Sequence, residues 1–103
     1  MNVLITGAAG GLGRAFAVEC AKRGYNLLLT DINEAGLLSI RGGLECRYGS
    51  QILVMPLDIT QSAGLGKLFR FAREANFRID MLINVAGGDK EGAFLERNGE
   101  AIA

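Results

Sequence analysis

A glycine-rich segment near the start of the chain constrains the fold more than any other feature of the sequence. It reads Thr6-Gly7-Ala8-Ala9-Gly10-Gly11-Leu12-Gly13. The apolar run from Val3 to Ile5 before it lacks polar alternation, which is typical of a strand buried on both faces. After it, apolar residues recur at helical intervals. A strand, a tight glycine turn and a helix in this order place backbone N–H groups and a positive helix end against a phosphate.

Three of these glycines have distinct expected roles. Gly7 allows the sharp turn, Gly11 allows the close approach of a pyrophosphate, and Gly13 allows the helix to pack closely on the strand. The common motif G-x-G-x-x-G does not fit, because a motif beginning at Gly11 would need glycine where Phe16 stands. A glycine-rich connection that binds no ligand is the alternative interpretation.

Composition argues against several classes of function. The 103 residues have room for one small domain. Eleven basic residues balance eleven acidic ones, so no basic field is expected that would attract nucleic acid or anionic lipid. Histidine is absent and Cys20 and Cys46 are isolated, which argues against histidine-dependent catalysis and a conventional zinc site. Without a membrane-spanning run or a leader pattern, we expect a soluble, cytoplasmic chain.

The rest of the sequence alternates strands and helices. Buried strands are predicted at 1–5, 26–30, 52–55 and 80–84. The first helix ends before Gly24, the second runs from Asn33 to about Tyr48, and Thr60 caps the third. Four buried strands with three intervening helices indicate an α/β protein with a parallel sheet and right-handed crossovers.

Helical spacing also predicts which residues are buried. The expected buried faces are Leu12, Ala15, Phe16 and Cys20 on the first helix, and Leu65, Leu68, Phe69 and Ala72 on the third. The pattern weakens from Gly87 onward. Residues 1–90 are therefore expected to form the domain, and residues 91–103 a tail that is partly helical or mobile.

Two carboxylates follow predicted strands. Asp31 ends the second strand, where it can accept hydrogen bonds from adenosine ribose hydroxyls and would repel a 2′-phosphate, which favours NAD over NADP. Alternatively, Asp31 only helps to start the next helix. Asp58 follows the third strand, and capping the third helix together with Thr60 is the structural alternative for it.

These features together resemble the classical branch of the short-chain dehydrogenase/reductase family. The segment from Thr6 to Gly13 has the family's Thr-Gly-x-x-x-Gly-x-Gly pattern, although it also fits the variant of the extended members. Asn84-Val85-Ala86-Gly87 resembles the Asn-Asn-Ala-Gly of the classical branch, with valine at the second position. The resemblance covers about residues 1 to 90. It implies a three-layer, Rossmann-like parallel sheet of about four strands in the order 3-2-1-4, with helices on both faces and without the fold's second half.

The resemblance also implies a dinucleotide site. In the family an aspartate at the position of Asp58 contacts the adenine amino group, and the segment equivalent to 84–87 lies beside the cofactor. The expected cofactor-binding residues are Gly7, Gly11, Leu12, Gly13, Asp31, Asp58, Asn84, Ala86 and Gly87. NAD is the expected cofactor, with NADP less favoured.

The family's catalytic motif is not found in these residues. Hydride transfer in the family depends on a Tyr-x-x-x-Lys pair, but Leu29 and Ile52 stand four residues after Tyr25 and Tyr48. We therefore interpret the chain as the NAD(H)-binding portion of a short-chain dehydrogenase-like oxidoreductase that is not catalytic alone. One alternative is an oxidoreductase completed by another chain or a longer product. The other is an assembly unit that keeps the fold without binding cofactor.

The missing half of the fold also has a consequence for assembly. In a full-length member the fourth strand pairs with a fifth, so an unpaired strand edge is expected here. We expect a homodimer or larger homo-oligomer that covers this edge, for instance by exchanging the C-terminal segment.

Overall fold

The computed structural model describes residues 1–60, 63–85, 94–97 and 100–102. Strands and helices alternate through most of this length. Their order is β1 (Asn2–Thr6), α1 (Gly11–Lys22), β2 (Asn26–Asp31), α2 (Glu34–Arg47), β3 (Ile52–Pro56), α3 (Gly64–Glu74) and β4 (Met81–Asn84). Two short strands follow, β5 (Phe94–Arg97) and β6 (Glu100–Ile102).

The described strands form one sheet in the order β3-β2-β1-β4-β5-β6. β1 lies between β2 and β4 and pairs in parallel with both, with Ile5 opposite Leu29 on one side and Ile83 on the other. β3 pairs in parallel with the outer side of β2. The predicted parallel order 3-2-1-4 is therefore confirmed, and the strand order reverses beside β1, where open α/β sheets bind their ligands.

Helices cover both faces of the sheet, as the three-layer prediction required. Alternate residues of each strand point to opposite faces. Val3 and Ile5 of β1 belong to the core under α1 and α2, whereas Leu4 packs with Leu68 of α3 and with Phe77. All three β1 side chains are fully buried. This two-sided burial explains why the strand sequence shows no polar alternation.

The buried face of α1 differs from the prediction. Its buried residues are Gly13, Ala17, Cys20 and Ala21, whereas Leu12 is 46% exposed. The helix packs on the sheet through its small residues, because these let its backbone approach closely, and the predicted larger residues are displaced to the edge of the contact. Cys20 is a core residue as predicted, and burial raises the pKa of its thiol.

The third helix also differs from the prediction, at its start and on its buried face. It begins at Gly64 with Ala63 in the capping position, so Thr60 does not cap it. The Thr60 hydroxyl instead donates to the Asp58 carboxylate. Leu68 and Ala72 are buried as expected, but Leu65 and Phe69 are 43% and 47% exposed.

The ends of α1 and α2 follow the sequence signals closely. Gly24, just beyond α1, has a φ of 81°, a left-handed conformation that favours glycine at this position. Asn33 caps α2 by accepting a hydrogen bond from the Gly36 N–H, and Tyr48 is the residue at its other end. The glycines inside α2 do not interrupt it.

The described residues of the C-terminal segment are strands, not the helical turns expected there. β5 pairs antiparallel with β4, and β6 pairs antiparallel with β5. The edge of β4 that was expected to be unpaired is therefore covered by this chain itself, which satisfies its backbone hydrogen-bonding groups. Asn98-Gly99, between the two strands in the sequence, is the dipeptide most typical of a two-residue hairpin connection and was the overlooked signal. These two residues lie outside the described part of the chain.

Candidate functional site

The glycine loop, residues Gly7 to Gly10, connects β1 to α1 at the carboxyl end of the sheet. Gly7 has a φ of 69°, so the predicted sharp turn at this residue is present. The Gly10 N–H donates to the Gly7 carbonyl oxygen at 3.3 Å, and the Ala8 N–H donates to the carbonyl oxygen of Thr30 in β2 at 3.1 Å. The first of these hydrogen bonds closes a turn within the loop, and the second holds the loop against the end of the neighbouring strand.

The first turn of α1 can receive an anion. The cap residue Gly10 has no side chain that could accept the helix's first N–H groups, and the first turn contains no acidic residue. Its N–H groups are directed away from the helix and carry the positive end of the helix dipole. Leu12 lies in this first turn and is largely exposed. The arrangement is the geometry in which helix N-termini bind phosphates.

Gly11 and Gly13 differ in their surroundings. A Cβ atom at Gly13 would lie 2.1 Å from the Gly7 carbonyl oxygen and 2.8 Å from the Ala8 Cα, so only glycine fits there. A Cβ atom at Gly11 would meet no atom within 4 Å. Gly13 therefore serves the packing of helix on loop, and the space in front of Gly11 is open to a ligand.

Asp31 lies at the end of β2 and contacts two separate segments. Its Oδ2 accepts a hydrogen bond from the Ala9 N–H of the glycine loop at 2.9 Å. Its Oδ1 accepts one from the Asn33 N–H, also at 2.9 Å. The helix-starting role weighed as the alternative is thus present, because Asn33 caps α2. It accounts for only one of the two carboxylate oxygens.

A cavity of about 240 Å³ opens at the carboxyl ends of β2 and β3, beside the glycine loop. It is lined by Gly7, Thr30, Asp31, Ile32, Leu57, Asp58, Ile59 and Thr60. Two of these residues are acidic and none is basic, and the remainder supply apolar side chains and hydroxyl groups. The cavity therefore combines an apolar surface for a flat ring with carboxylates that can accept hydrogen bonds from hydroxyl or amino groups.

Asp58 stands on the β3 side of this cavity and is held by a local turn. Its Oδ1 accepts from both the N–H of Thr60, at 3.0 Å, and the Thr60 hydroxyl. A Cβ atom at Gly64 would lie 2.7 Å from the Asp58 carbonyl oxygen, so the start of α3 packs directly on this turn. The turn thereby fixes Asp58 at the mouth of the cavity.

Asn84 lies at the far side of β1 from this cavity, at the end of β4. The hydroxyl of Thr6 donates to the Asn84 side-chain oxygen at 2.5 Å, and the N–H of Val85 donates to the Thr6 hydroxyl at 3.2 Å. These bonds join the ends of β1 and β4 where the strand order reverses. Ala86 and Gly87, also expected beside a cofactor, lie outside the described residues.

The structure thus brings Gly7, Asp31 and Asp58 together around one cavity, and Gly11 and Leu12 lie in the first turn of α1, which follows the glycine loop. Asn84 contributes to a separate position across β1. Sequence reasoning overlooked the apolar lining of the cavity, namely Ile32, Leu57 and Ile59. Their positions in the sequence were the available signal, because Ile32 directly follows Asp31, and Leu57 and Ile59 stand on either side of Asp58.

Two other classes of site receive no support in the described part of the chain. Within residues 1–60, 63–85, 94–97 and 100–102, no three cysteine or acidic side chains gather where they could hold a metal ion. No described helix is both long and apolar enough to cross a bilayer.

Comparison with known proteins identifies relatives of the sequence. The sequence profile of a family described as short chain dehydrogenase matches residues 1–103. Diacetyl reductase [(S)-acetoin forming] of Staphylococcus epidermidis is 35% identical over 102 residues, which are 99% of this chain and 39% of the relative. The chain therefore spans about two-fifths of the length of this curated relative.

Solved structures with this fold include proteins that bind dinucleotides. A short-chain dehydrogenase from Sphingobium yanoikuyae in complex with NADPH matches with a TM-score of 0.70 and 32% identity, covering 79% of this chain and 31% of that one. L-sorbose reductase from Gluconobacter frateurii, in complex with NADPH and L-sorbose, matches with a TM-score of 0.79 and 27% identity. That match covers 84% of this chain and 33% of the reductase.

Proposed function

This chain belongs to the short-chain dehydrogenase family, and we propose that it forms the NAD(H)-binding part of an oxidoreductase of that family. The observation that carries the proposal is the cavity between the glycine loop and the ends of β2 and β3, with Asp31 and Asp58 in its wall. Residues 1–90 are the proposed binding unit. The proposal assigns the cavity to the adenosine half of the dinucleotide and the first turn of α1 to its pyrophosphate.

The glycine loop and α1 supply the proposed pyrophosphate site. The first-turn N–H groups of α1 have no side-chain cap, and the space in front of Gly11 is open. A pyrophosphate placed there would accept hydrogen bonds from the backbone and interact favourably with the helix dipole. Leu12 would cover one side of it with apolar surface.

The carboxylates of the cavity supply the proposed adenosine site. Asp31 would accept hydrogen bonds from the ribose hydroxyls, and Asp58 would accept one from the adenine amino group. Leu57 and Ile59, which line the same cavity, would pack against the adenine ring. The Thr6–Asn84 contact would hold the strand ends beside the nicotinamide half, with Ala86 and Gly87 as the expected neighbours of that half.

We propose NAD rather than NADP as the preferred cofactor. A 2′-phosphate beside Asp31 would bring two negative charges together, and none of the described residues that line the cavity is basic and could offset them. NADPH is present in the structures of the relatives from Sphingobium yanoikuyae and Gluconobacter frateurii. A measured preference of this chain for NADP would therefore place it with those relatives and overturn this part of the proposal.

Catalysis is proposed to depend on groups outside these 103 residues. A bound nicotinamide would supply or accept the hydride, and the residues at hand would bind and orient the cofactor. Neither Tyr25 nor Tyr48 begins a Tyr-x-x-x-Lys motif. The proposed contribution of this chain is therefore binding, with the proton-transferring group supplied from elsewhere.

A calorimetric titration of the purified chain with NAD and with NADP tests the proposal. We expect saturable binding of NAD in the micromolar to millimolar range, with NADP weaker. A Gly11→Val variant should weaken both by filling the space for the pyrophosphate, whereas Gly42→Ala, on an open part of α2, should leave both unchanged. Absence of binding by either dinucleotide would contradict the proposal and favour an assembly unit that keeps the fold.

The homodimer or larger homo-oligomer expected from the sequence remains a prediction. This expectation was based on an unpaired edge of β4. Because β5 pairs with that edge, the edge itself no longer supports the expectation. Light scattering at micromolar concentration would decide the matter, since a monodisperse monomer would contradict the expectation.

A further inference from the structure

We infer that Asp31 is also the positioning residue of the glycine loop, so that one carboxylate sets both the cofactor's ribose specificity and the geometry of the pyrophosphate site. The part of the inference that concerns the ribose rests on the proposed function, whereas the part that concerns the position of the glycine loop does not. It starts from the hydrogen bond between the Ala9 N–H and the Asp31 Oδ2, which joins residues 22 positions apart in the sequence.

Ala9 lies between Asp31 and the first turn of α2. A Cβ atom at Gly36 would lie 2.9 Å from the Cβ of Ala9, so this part of the loop packs directly on α2. Asn33, whose N–H donates to the other oxygen of Asp31, caps the same helix turn through Gly36. The Asp31 carboxylate therefore fixes the loop and the start of α2 relative to each other.

The two oxygens of Asp31 have unequal importance for the loop. The Oδ1 contact with Asn33 is local, since it spans two residues. The Oδ2 contact is the one that reaches the glycine loop. Each carboxylate oxygen can accept two hydrogen bonds, so Oδ2 can hold the Ala9 N–H and still accept from a ribose hydroxyl. Loop positioning and ribose recognition are thus compatible in one side chain.

A neutral replacement cannot perform both tasks. An asparagine has one acceptor oxygen and one NH₂ group, so one of the two backbone N–H donors would face another donor. An alanine would leave both N–H groups without this partner. Either change should loosen the glycine loop, although each removes the negative charge that disfavours a 2′-phosphate. We therefore expect that neutral replacement at Asp31 will not convert the chain into a tight NADP binder.

The decisive measurement compares ADP with 2′,3′-dideoxy-ADP, which lacks the ribose hydroxyls, in the wild-type chain and in Asp31→Ala. If Asp31 acted only through the hydroxyls, its removal would leave the affinity for dideoxy-ADP unchanged. Removal of a negative charge near the phosphates would by itself strengthen binding. Positioning of the loop predicts the opposite sign, a loss of about threefold or more in dideoxy-ADP affinity. ADP should lose more, because it also loses its hydroxyl contacts.

Glu34→Gln is the matched control for charge. Glu34 is exposed in the first turn of α2, three residues from Asp31, and does not contact the glycine loop through any hydrogen bond of the described chain. Its replacement removes the same charge and should leave dideoxy-ADP affinity unchanged or slightly higher. An equal loss in Glu34→Gln and Asp31→Ala would overturn the inference.

Amide hydrogen exchange in the ligand-free chain provides a readout that needs no nucleotide. The exchange rate of the Ala9 N–H should rise in Asp31→Ala and rise less, or not at all, in Glu34→Gln. Asp31→Asn serves in place of the alanine variant if the latter does not fold, and it should show an intermediate rise. An unchanged Ala9 rate in folded Asp31 variants would overturn the inference. Wild-type chain that binds neither nucleotide, with the Ala9 effect still present, would instead contradict the proposed function alone.

Discussion

Asp31 and Asp58 face the same cavity from the ends of neighbouring strands, but they are held in different ways. Asp31 joins the glycine loop, β2 and the start of α2 through hydrogen bonds to Ala9 and Asn33. The hydrogen bonds described for Asp58 instead run to Thr60, two residues further along the chain. Among the described hydrogen bonds, those of Asp31 thus join separate segments of the β2 side, whereas those between Asp58 and Thr60 form a local turn on which α3 packs.

The β2 side of the cavity is therefore expected to couple ligand binding to folding. A change at a junction alters the relative positions of several elements, so it should affect both stability and ligand affinity. A change in a local turn should act mainly on the ligand contact itself. Four sets of substitutions test whether the two sides of the cavity differ in this way.

The largest effect is expected from Gly13→Ala, with Gly64→Ala as its counterpart on the β3 side. The new Cβ would lie 2.1 Å from a backbone oxygen of the glycine loop at position 13, but 2.7 Å from one at position 64. Backbone atoms cannot turn aside as a side chain can, so we expect a loss of about 3 kcal/mol at Gly13 and about 1 kcal/mol at Gly64. Urea unfolding monitored by circular dichroism measures both. Equal losses would break the comparison.

The second largest effect is expected to be a loss of NAD affinity in Asp31→Ala, compared with that in Asp58→Ala. Asp31 loses its proposed ribose contacts together with its hold on the loop, so we expect a loss of about tenfold to a hundredfold. Asp58 loses one proposed contact with adenine, and about threefold is expected. Titration calorimetry measures the two affinities. Thermal unfolding should show a larger decrease in Tm for Asp31→Ala than for Asp58→Ala. A larger loss at Asp58 on both measures would reverse the roles assigned here.

Gly11→Ala separates the effect on NAD binding from the effect on stability at the start of α1. Because a Cβ atom there would meet nothing within 4 Å, the free energy of unfolding should be unchanged or slightly higher. NAD affinity should fall several-fold, since the methyl group would occupy space proposed for the pyrophosphate. Denaturant unfolding and calorimetry on the same preparation test both parts. Full retention of NAD affinity would remove Gly11 from the proposed site.

The smallest effect is expected from Gly36→Ala compared with Gly42→Ala in the same helix. At Gly36 the new Cβ would approach the side chains of Ala9 and Asn33 to 2.9 Å, whereas at Gly42 it would meet nothing within 4 Å. Alanine should therefore stabilise position 42 by about 0.5–1 kcal/mol through helix propensity. At position 36 the same gain should be cancelled by displacement of Ala9. An equal gain at both positions would mean that α2 does not restrain the loop.

Much of the fold could be predicted because its signals are local. The buried strands lack polar alternation, Asn33 marks the start of α2, and Gly24 marks the end of α1. The order 3-2-1-4 came from family resemblance, since no local signal specifies which strands are neighbours. The buried face of α1 was predicted wrongly because periodicity ranks residues by hydrophobicity. Packing instead selected the small residues Gly13, Ala17 and Ala21.

The C-terminal strands show where local patterns were weakest. Phe94–Arg97 has no clear alternation of apolar and polar residues, so its pairing with β4 depends on backbone groups at the edge of the existing sheet. Such a pairing is decided by the partner strand, whose paired residues lie ten or more positions earlier in the sequence. The start of α3 at Gly64 was likewise decided by the packing of that helix on the Asp58 turn.

For the candidate site, the residue types and their spacing along the chain can be read from the amino-acid sequence alone. These are a glycine loop after a buried strand, a carboxylate at the end of each of the next two strands, and an asparagine after the fourth. The hydrogen bonds between Asp31 and Ala9 and between Thr6 and Asn84 depend instead on how the strands are arranged in the fold. The physical reason is that a hydrogen bond depends on distance and direction to within a few tenths of an ångström. Parallel pairing of β1 with β2 and β4 brings these distant residues that close.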